Sequence, residues 1–212
     1  MPDTKAAYDA VATLYADTFR DILKTMPLER SVIAAFAELV QTHDAGPIAD
    51  VGCGPGHITA YLNSLGPEAF GIDLSSEMVA LAQKAHPDLR FEEGTMTALN
   101  LADAELGGIL SNFSIIHLPP AQMPQVFAEF ERVLASGGHL LLGFYAGDDR
   151  EPETFDHKVS PAYRWSADRL AELLRQAGFS EVARLVREPQ EGDKRQFQQI
   201  YLLMRKPVTP TT

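Results

Sequence analysis

The fold is decided by Ala49-Asp50-Val51-Gly52-Cys53-Gly54-Pro55-Gly56-His57, a stretch between a predicted strand at 48–51 and a predicted helix. Closely spaced glycines let the backbone turn sharply and approach a ligand with no Cβ in the way. In an open parallel sheet, ligands bind at the carboxyl ends of the strands, where this loop would lie. The stretch therefore predicts a ligand site at the end of the first strand.

The glycine spacing and a second carboxylate indicate which ligand is bound. The dinucleotide pattern is G-x-G-x-x-G, but here the third glycine is Gly56, and His57 occupies the sixth position. Asp50 precedes the first glycine, Gly52, by two residues. Asp73 ends the next predicted strand about 20 residues later, where a carboxylate can accept hydrogen bonds from both ribose hydroxyls. The other interpretation of Asp73 is a helix cap.

Strand and helix patterns alternate on both sides of this loop. Short apolar runs predict strands at 48–51, 69–72, 90–92, 108–112, 139–145, 181–186 and 198–204. We therefore expect a doubly wound, Rossmann-like α/β fold, with a mostly parallel seven-stranded sheet and helices on both faces. The polar link 187–195 is too short for a crossover helix, so the last strand is predicted to be antiparallel.

Composition excludes several classes of protein. The 212 residues suit one domain, predicted at 1–206 with a loose tail at 207–212. A net charge of -11 with scattered cations disfavours nucleic acid and anionic membranes as partners. The single cysteine, the absence of a signal-peptide pattern and the absence of a long apolar run favour a cytoplasmic protein. None of the six histidines forms an H-x-x-x-H pair, so we expect no metal site.

The sequence resembles the class I S-adenosylmethionine-dependent methyltransferases over nearly its whole length. The glycine loop is similar to their first motif, and Gly71-Ile72-Asp73 is similar to their second. Glu93-Gly94-Thr95-Met96 resembles the segment that holds adenine, and 107–118 resembles the fourth-strand segment. Many members carry an acid where Thr95 stands and an Asp where Gly107 stands. The Asn/Asp-Pro-Pro-Tyr/Phe signature of many methyltransferases that act on nucleic acid or protein is missing.

The resemblance implies S-adenosylmethionine as cofactor, S-adenosylhomocysteine as product and a small-molecule methyl acceptor. It also implies an N-terminal helical lid over the cofactor, at about 4–43. The predicted cofactor-binding residues are Tyr8, Tyr15, Asp50, Gly52, Cys53, Gly54, Gly56, Asp73, Leu74, Met78, Gly94, Thr95, Met96, Asn112 and Phe113. Core packing is the other interpretation of the two tyrosines, and the Cys53 side chain is expected to pack rather than react.

The acceptor is expected near the ends of the fourth and fifth strands. Aromatic residues there predict a small, partly aromatic pocket, and they are Tyr145, Phe155, Tyr163 and Trp165. His117 and His157 are the candidate general bases for a hydroxyl or amine acceptor. A turn-shaping hydrogen bond is the alternative for His117, and an exposed polar loop is the alternative for His157.

Two other functions remain open at this point. One is a nicotinamide-dependent oxidoreductase on the same type of sheet, against which the shifted third glycine counts. The other is a non-catalytic, methyltransferase-like protein that binds the cofactor. The sequence leaves the acceptor and the oligomeric state open.

Overall fold

The computed structural model describes residues 4–19, 21–148 and 151–208. Its helices are α1 (Thr4–Phe19), α2 (Ile22–Thr25), α3 (Pro27–His43), α4 (His57–Ser64), α5 (Ser76–Ala85), α6 (Met123–Val133) and α7 (Ala167–Gln176). Its strands are β1 (Ile48–Val51), β2 (Ala69–Asp73), β3 (Phe91–Glu93), β4 (Leu106–Asn112), β5 (Leu134–Tyr145), β6 (Glu153–Asp156), β7 (Pro161–Arg164), β8 (Ser180–Arg187) and β9 (Gln199–Arg205). The start of the predicted domain, 1–3, and the end of the predicted tail, 209–212, lie outside the described residues.

Seven strands form one sheet in the order β3-β2-β1-β4-β5-β9-β8. The five strands from β3 to β5 are parallel to one another, and β9 runs antiparallel to both of its neighbours. The predicted doubly wound sheet with an antiparallel last strand is therefore confirmed. The strand order reverses between β1 and β4, and the crevice at such a reversal is the usual ligand site of these sheets.

Both faces of the sheet are covered, because successive strand residues point to opposite sides. Ile48, Leu110 and Leu141 pack with α3 and α4 on one face. Their neighbours Ala49 and Ile109 point to the other face, into the cluster that includes α6 and α7. Burial on both sides explains why these strands are continuous apolar runs.

The N-terminal helices differ from the predicted pattern. The apolar periodicity predicts one helix through Ile22 that Pro27 ends, but α1 ends at Phe19, and a separate short helix, α2, begins at Ile22. Pro27 is instead the first residue of α3, where its missing N–H has no intrahelical partner to lose.

Two segments near the sheet also correct the sequence-based expectations. Leu134 fits the periodicity of the preceding helix, yet it is extended and pairs with Leu106 of β4, so α6 ends at Val133. Strand pairing overrides helical periodicity there. The stretch 146–163, predicted to be irregular, contains β6 and pairs it with β7 in an antiparallel hairpin.

The antiparallel direction of β9 fixes the position of the loop before it. Gln199 at the start of β9 pairs with Tyr145 at the end of β5. The link between β8 and β9, residues 188–198, therefore lies at the same edge as the carboxyl ends of β4 and β5. Within the described residues, no helix combines the length and apolarity that crossing a membrane would require.

Candidate functional site

The glycine loop between β1 and α4 is held in a conformation that favours glycine. Gly52, Gly54 and Gly56 have φ of +81°, +53° and +82°, in the region that side chains with a Cβ rarely adopt. A Cβ on Gly56 would lie 2.7 Å from the Phe91 ring. A Cβ on Gly54 would point into open space, with the Tyr15 ring 4.0 Å away as its nearest neighbour. The loop thus leaves room for a ligand above Gly54.

Asp73 joins this loop to the end of β2. Its Oδ2 accepts the Gly54 N–H at 2.8 Å, and its Oδ1 accepts the Ser75 N–H at 2.8 Å. Burial raises the pKa of this carboxyl, and the backbone donors oppose that shift. Each carboxylate oxygen has further lone pairs, so Asp73 can still accept hydrogen bonds from a ligand.

A cavity of about 480 Å³ opens above the loop and Asp73. The predicted cofactor-binding residues that line it are Tyr8, Tyr15, Gly52, Gly54, Asp73, Leu74, Met78, Gly94, Thr95, Met96, Asn112 and Phe113. His117 also lines it, together with Ser114, Gln122 and Gln125, which the sequence analysis did not single out. The volume falls within the range of small-molecule sites.

Three of the predicted cofactor residues do not line the cavity. Asp50 is 1% exposed, and its Oδ2 accepts the Thr59 hydroxyl at 2.7 Å on α4. Burial raises the pKa of Asp50 to about 7. Cys53 packs against Phe91 in a small buried cluster, and burial raises the pKa of its thiol. Gly56 is also buried. The backbone of the loop therefore turns Asp50, Cys53 and Gly56 away from the cavity.

Thr95 and Gly107 are the two positions where many members of the resembled family carry an acid. Thr95 lines the cavity, and its hydroxyl lies 2.9 Å from that of Thr97. A Cβ on Gly107 would lie 2.5 Å from the carbonyl oxygen of Gly46. The backbone therefore leaves no space for an Asp at position 107.

His117 forms a hydrogen-bonded pair with Tyr8 at the cavity wall. Its Nδ1 lies 3.0 Å from the Pro161 carbonyl oxygen, which only accepts, so Nδ1 carries the proton. Its Nε2 therefore accepts the Tyr8 hydroxyl at 2.7 Å. Burial lowers the pKa of His117 and raises that of Tyr8, so both groups are neutral at neutral pH.

The predicted acceptor residues lie beyond His117 and do not line the cavity. The ring centroids of His157 and His117 are 4.7 Å apart. Burial lowers the pKa of His157 to about 3, and its Nδ1 has no hydrogen-bond partner among the described residues. Tyr145 contacts Phe113 at 4.8 Å and Phe155 at 5.6 Å between ring centroids, which connects the cavity to an aromatic cluster.

Tyr163 and Trp165 are placed deeper than the rest of this set. Tyr163 is partly buried against the main core, and Trp165 is 2% exposed within it. The backbone N–H of Trp165 donates to the backbone carbonyl of Tyr145 at 3.0 Å. Trp165 thus holds the strand that carries Tyr145.

Helix α1 covers the cavity and is fastened on two sides. On the side of β2 and β3, the Lys5 ammonium lies 3.2 Å from a Glu93 carboxylate oxygen. On the hairpin side, the Thr4 and Ser160 hydroxyls are 3.0 Å apart, and Tyr8 bonds His117. Helix α1 therefore spans the cavity from β3 to the β6–β7 hairpin.

Glu29 is a site-supporting residue that the sequence analysis missed. It is 4% exposed, and its Oε1 accepts the Asn112 Nδ2–H at 2.7 Å, which fixes a residue of the cavity wall. Burial raises the pKa of Glu29. The signal was present in the sequence, because Glu29 falls on the apolar face of α3, in phase with Ile33 and Phe36.

The link 188–198 supplies two further residues that the sequence analysis missed. Phe197 packs against Phe155 at 5.4 Å between ring centroids. Arg195 donates from a terminal nitrogen to the His157 carbonyl at 2.7 Å. In the part of the chain that the structure describes, no group of three or more His, Cys, Asp or Glu side chains could hold a metal ion.

Comparison with known proteins identifies relatives of this site. The profile of a family described as "Methyltransferase domain" matches residues 48–138, from the start of β1 into β5. Malonyl-[acyl-carrier protein] O-methyltransferase from Pectobacterium atrosepticum is 31% identical over 111 residues, which are 52% of this chain and 43% of that protein. Demethylmenaquinone methyltransferase from Beutenbergia cavernae is 27% identical over 206 residues, covering 85% of this chain and 84% of that protein. The chain spans less than half the length of the first curated relatives it matches.

The fold is shared with solved structures. One is 1,6-didemethyltoxoflavin-N1-methyltransferase from Burkholderia thailandensis, with bound 1,6-didemethyltoxoflavin and S-adenosylhomocysteine. Its TM-score is 0.69 at 22% identity, and the match covers 95% of this chain and 88% of that one.

Proposed function

Because the chain belongs to the class I S-adenosylmethionine-dependent methyltransferases, we propose that it transfers a methyl group from S-adenosylmethionine to a small-molecule acceptor. The observation that carries the proposal is Asp73, which lines the cavity directly beside the glycine loop. A carboxylate at this position can accept hydrogen bonds from both ribose hydroxyls.

The residues present fit this cofactor. Gly54 leaves a space that a Cβ would fill, so the backbone itself can contact a ligand there. Asp73 would hold the ribose hydroxyls, and Gly94, Thr95 and Met96 would surround the adenine. Tyr15 would close the site from α1.

When bound, S-adenosylmethionine supplies a methyl group that its sulfonium already activates. The protein's task is to hold the acceptor in line and to exclude water, and α1 performs the second part as a lid. Nε2 of His117 is the proton-accepting atom at the cavity wall, and the Tyr8 hydroxyl donates a hydrogen bond to it. A proton leaving a hydroxyl or amine acceptor could thus pass through Tyr8 to His117.

The acceptor would lie where Phe113 and Tyr145 meet, next to His117. Phe155 and His157 extend this aromatic wall away from the cavity. Trp165 would contribute through the strand it holds, since its ring is buried in the core. Methylation of a small, partly aromatic acceptor suits this lining.

The test is calorimetric titration with S-adenosylmethionine, S-adenosylhomocysteine and NAD. We expect the first two to bind and NAD to fail. Asp73→Ala should weaken binding by at least about 1.5 kcal/mol, or roughly tenfold, through lost hydrogen bonds to a charged group. Asp103→Ala is the matched control, because Asp103 is an exposed carboxylate paired with Arg132.

Two results would contradict the proposal. Unchanged affinity in Asp73→Ala would remove the ribose assignment, and tighter binding of NAD would identify an oxidoreductase. A turnover assay that detects S-adenosylhomocysteine formation over a panel of acceptors then separates an enzyme from a protein that only binds the cofactor.

A further inference from the structure

Arg195 places a positive charge at the acceptor end of the site. It lies in the link 188–198, which reaches this edge because β9 is antiparallel. Its guanidinium carbon is 5.7 Å from the ring centroids of both Tyr145 and Phe155. One terminal nitrogen donates to the His157 carbonyl, and the guanidinium also forms a hydrogen bond with the Tyr145 side chain. A guanidinium has five N–H donors, so these two contacts leave others available to a ligand.

No carboxylate in the described part of the chain pairs with Arg195. Six other arginines do form ion pairs, and they are Arg90, Arg132, Arg164, Arg175, Arg184 and Arg187. The acids nearest in sequence or space are engaged elsewhere: Asp193 with Arg187, and Asp156 with Lys158.

The histidines and tyrosines around Arg195 are neutral. The exposed carboxylate of Asp156 is also nearby: its hydrogen bond to Lys158 mainly lowers its pKa, and the Arg195 charge makes a smaller contribution. Burial is the main cause of the lowered pKa of His117 and His157, and the Arg195 charge adds to it. Burial raises the pKa of Tyr8 and Tyr145, and the same charge opposes that rise. Arg195 therefore acts on Tyr8 and His117, which line the cavity, and on Tyr145 and His157, which lie beyond it.

We propose, resting on the function proposed above, that Arg195 recognises an anionic acceptor, specifically a small aromatic carboxylate. A guanidinium fork matches a carboxylate in geometry and can bind it through two hydrogen bonds. The neighbouring rings of Tyr145 and Phe155 favour a planar, apolar body attached to that carboxylate. The carboxylate serves for recognition, and the methylated atom lies elsewhere on the ring, toward His117.

The experiment compares acids with their neutral amides in the presence of saturating S-adenosylhomocysteine. The probes are benzoate, salicylate and nicotinate with benzamide, salicylamide and nicotinamide, and their dissociation constants are measured by ligand-observed NMR. We expect at least one acid to bind about tenfold more tightly than its amide. Arg195→Gln should abolish this preference, and Arg195→Lys should keep part of it.

Lys194→Gln is the matched control. It removes the same charge from the neighbouring position, where the Lys194 ammonium lies 4.9 Å from the Phe19 ring. Retention of the acid preference in Lys194→Gln, together with its loss in Arg195→Gln, would support the proposal. Equal binding of acids and amides by the unaltered protein, or equal losses in the two variants, would overturn it.

The outcome is separable from that of the proposed function. Titration of S-adenosylhomocysteine alone tests the cofactor site, and Arg195→Gln should leave that affinity within about twofold. A protein that binds the cofactor but shows no acid preference retains the proposed function and loses this inference. Thermal unfolding of each variant verifies that it is folded before any ligand is added.

Discussion

Replacement of Asp50 by Asn should change how stability depends on pH. The Asp50 carboxyl is buried under the glycine loop with one side-chain donor, Thr59. Its pKa is about 7 in the folded protein, against a usual 3.8, because burial disfavours the charged form and the Asp73 charge adds to this. Between these values the unfolded chain releases the proton and the folded protein retains it. Stability is therefore lost as pH rises through this window, by about 4 kcal/mol in total.

The assay is urea unfolding of the natural protein and of Asp50→Asn at pH 5, 6, 7 and 8. About 3 kcal/mol of the loss falls between pH 5 and pH 8, a large part of the stability of a typical domain. The difference in unfolding free energy between the two proteins should shift by that amount in favour of the Asn variant. The absolute difference in unfolding free energy at pH 5 also includes how well the Asn amide fits the buried site, and this contribution is independent of pH. The change of the difference with pH is therefore the readout.

Parallel loss of stability by both proteins between pH 5 and pH 8 would refute the reasoning, because Asp50 would then not titrate in that range. Glu29 also has a raised pKa and contributes to the slope of both proteins equally. Asp103→Asn serves as the control, because it makes the same substitution at an exposed carboxylate.

Two further predictions concern the loop and the lid. Gly54→Ala and Gly56→Ala form a matched pair, because both place a Cβ on a residue with a positive φ. The Gly56 variant should lose about 2 kcal/mol more unfolding free energy in urea, because its Cβ meets the Phe91 ring. The Gly54 variant should lose more calorimetric affinity for S-adenosylmethionine, because its Cβ enters the cavity. Equal effects of the two on both measurements would contradict the placement of the loop. Tyr8→Phe removes the hydrogen-bond donor to His117, so turnover should fall about tenfold. The dissociation constant of S-adenosylhomocysteine should change less than about threefold. Unchanged turnover would exclude Tyr8 and His117 from proton transfer.

The parts of the site that could be predicted from the sequence are those that local chemistry fixes. The glycine loop and Asp73 belong to this class. A sharp turn with positive φ needs glycine, and a short apolar run is enough to locate the end of a buried strand. The sheet follows in the same way from the alternation of strands and helices. The β6–β7 hairpin was missed because all of its residues except Ala162 are exposed or half-buried, and its sequence carries no clear apolar alternation.

The direction in which each loop residue faces could not be predicted. Asp50, Cys53 and Gly56 belong to the same motif as Gly54, yet these three residues are buried. The backbone dihedral angles decide which residues of the loop face the cavity, and those angles cannot be derived from the motif. Pairings between distant segments were also hidden. Asn112 and Glu29 are 83 positions apart, and only the three-dimensional fold brings an amide to that buried acid.

The reversed direction of β9 gives the two halves of the site separate supports. The cofactor cavity is carried mainly by loops that leave β1, β2, β3 and β4, whereas the link 188–198 is closed by an antiparallel pair at the outer edge of the sheet. Closing a longer loop on an existing pair costs little extra free energy. The length and sequence of this link can therefore change without moving the register of any strand that carries the cofactor. Under the proposed function, such an arrangement would let one scaffold exchange its acceptor while its methyl donor stays the same.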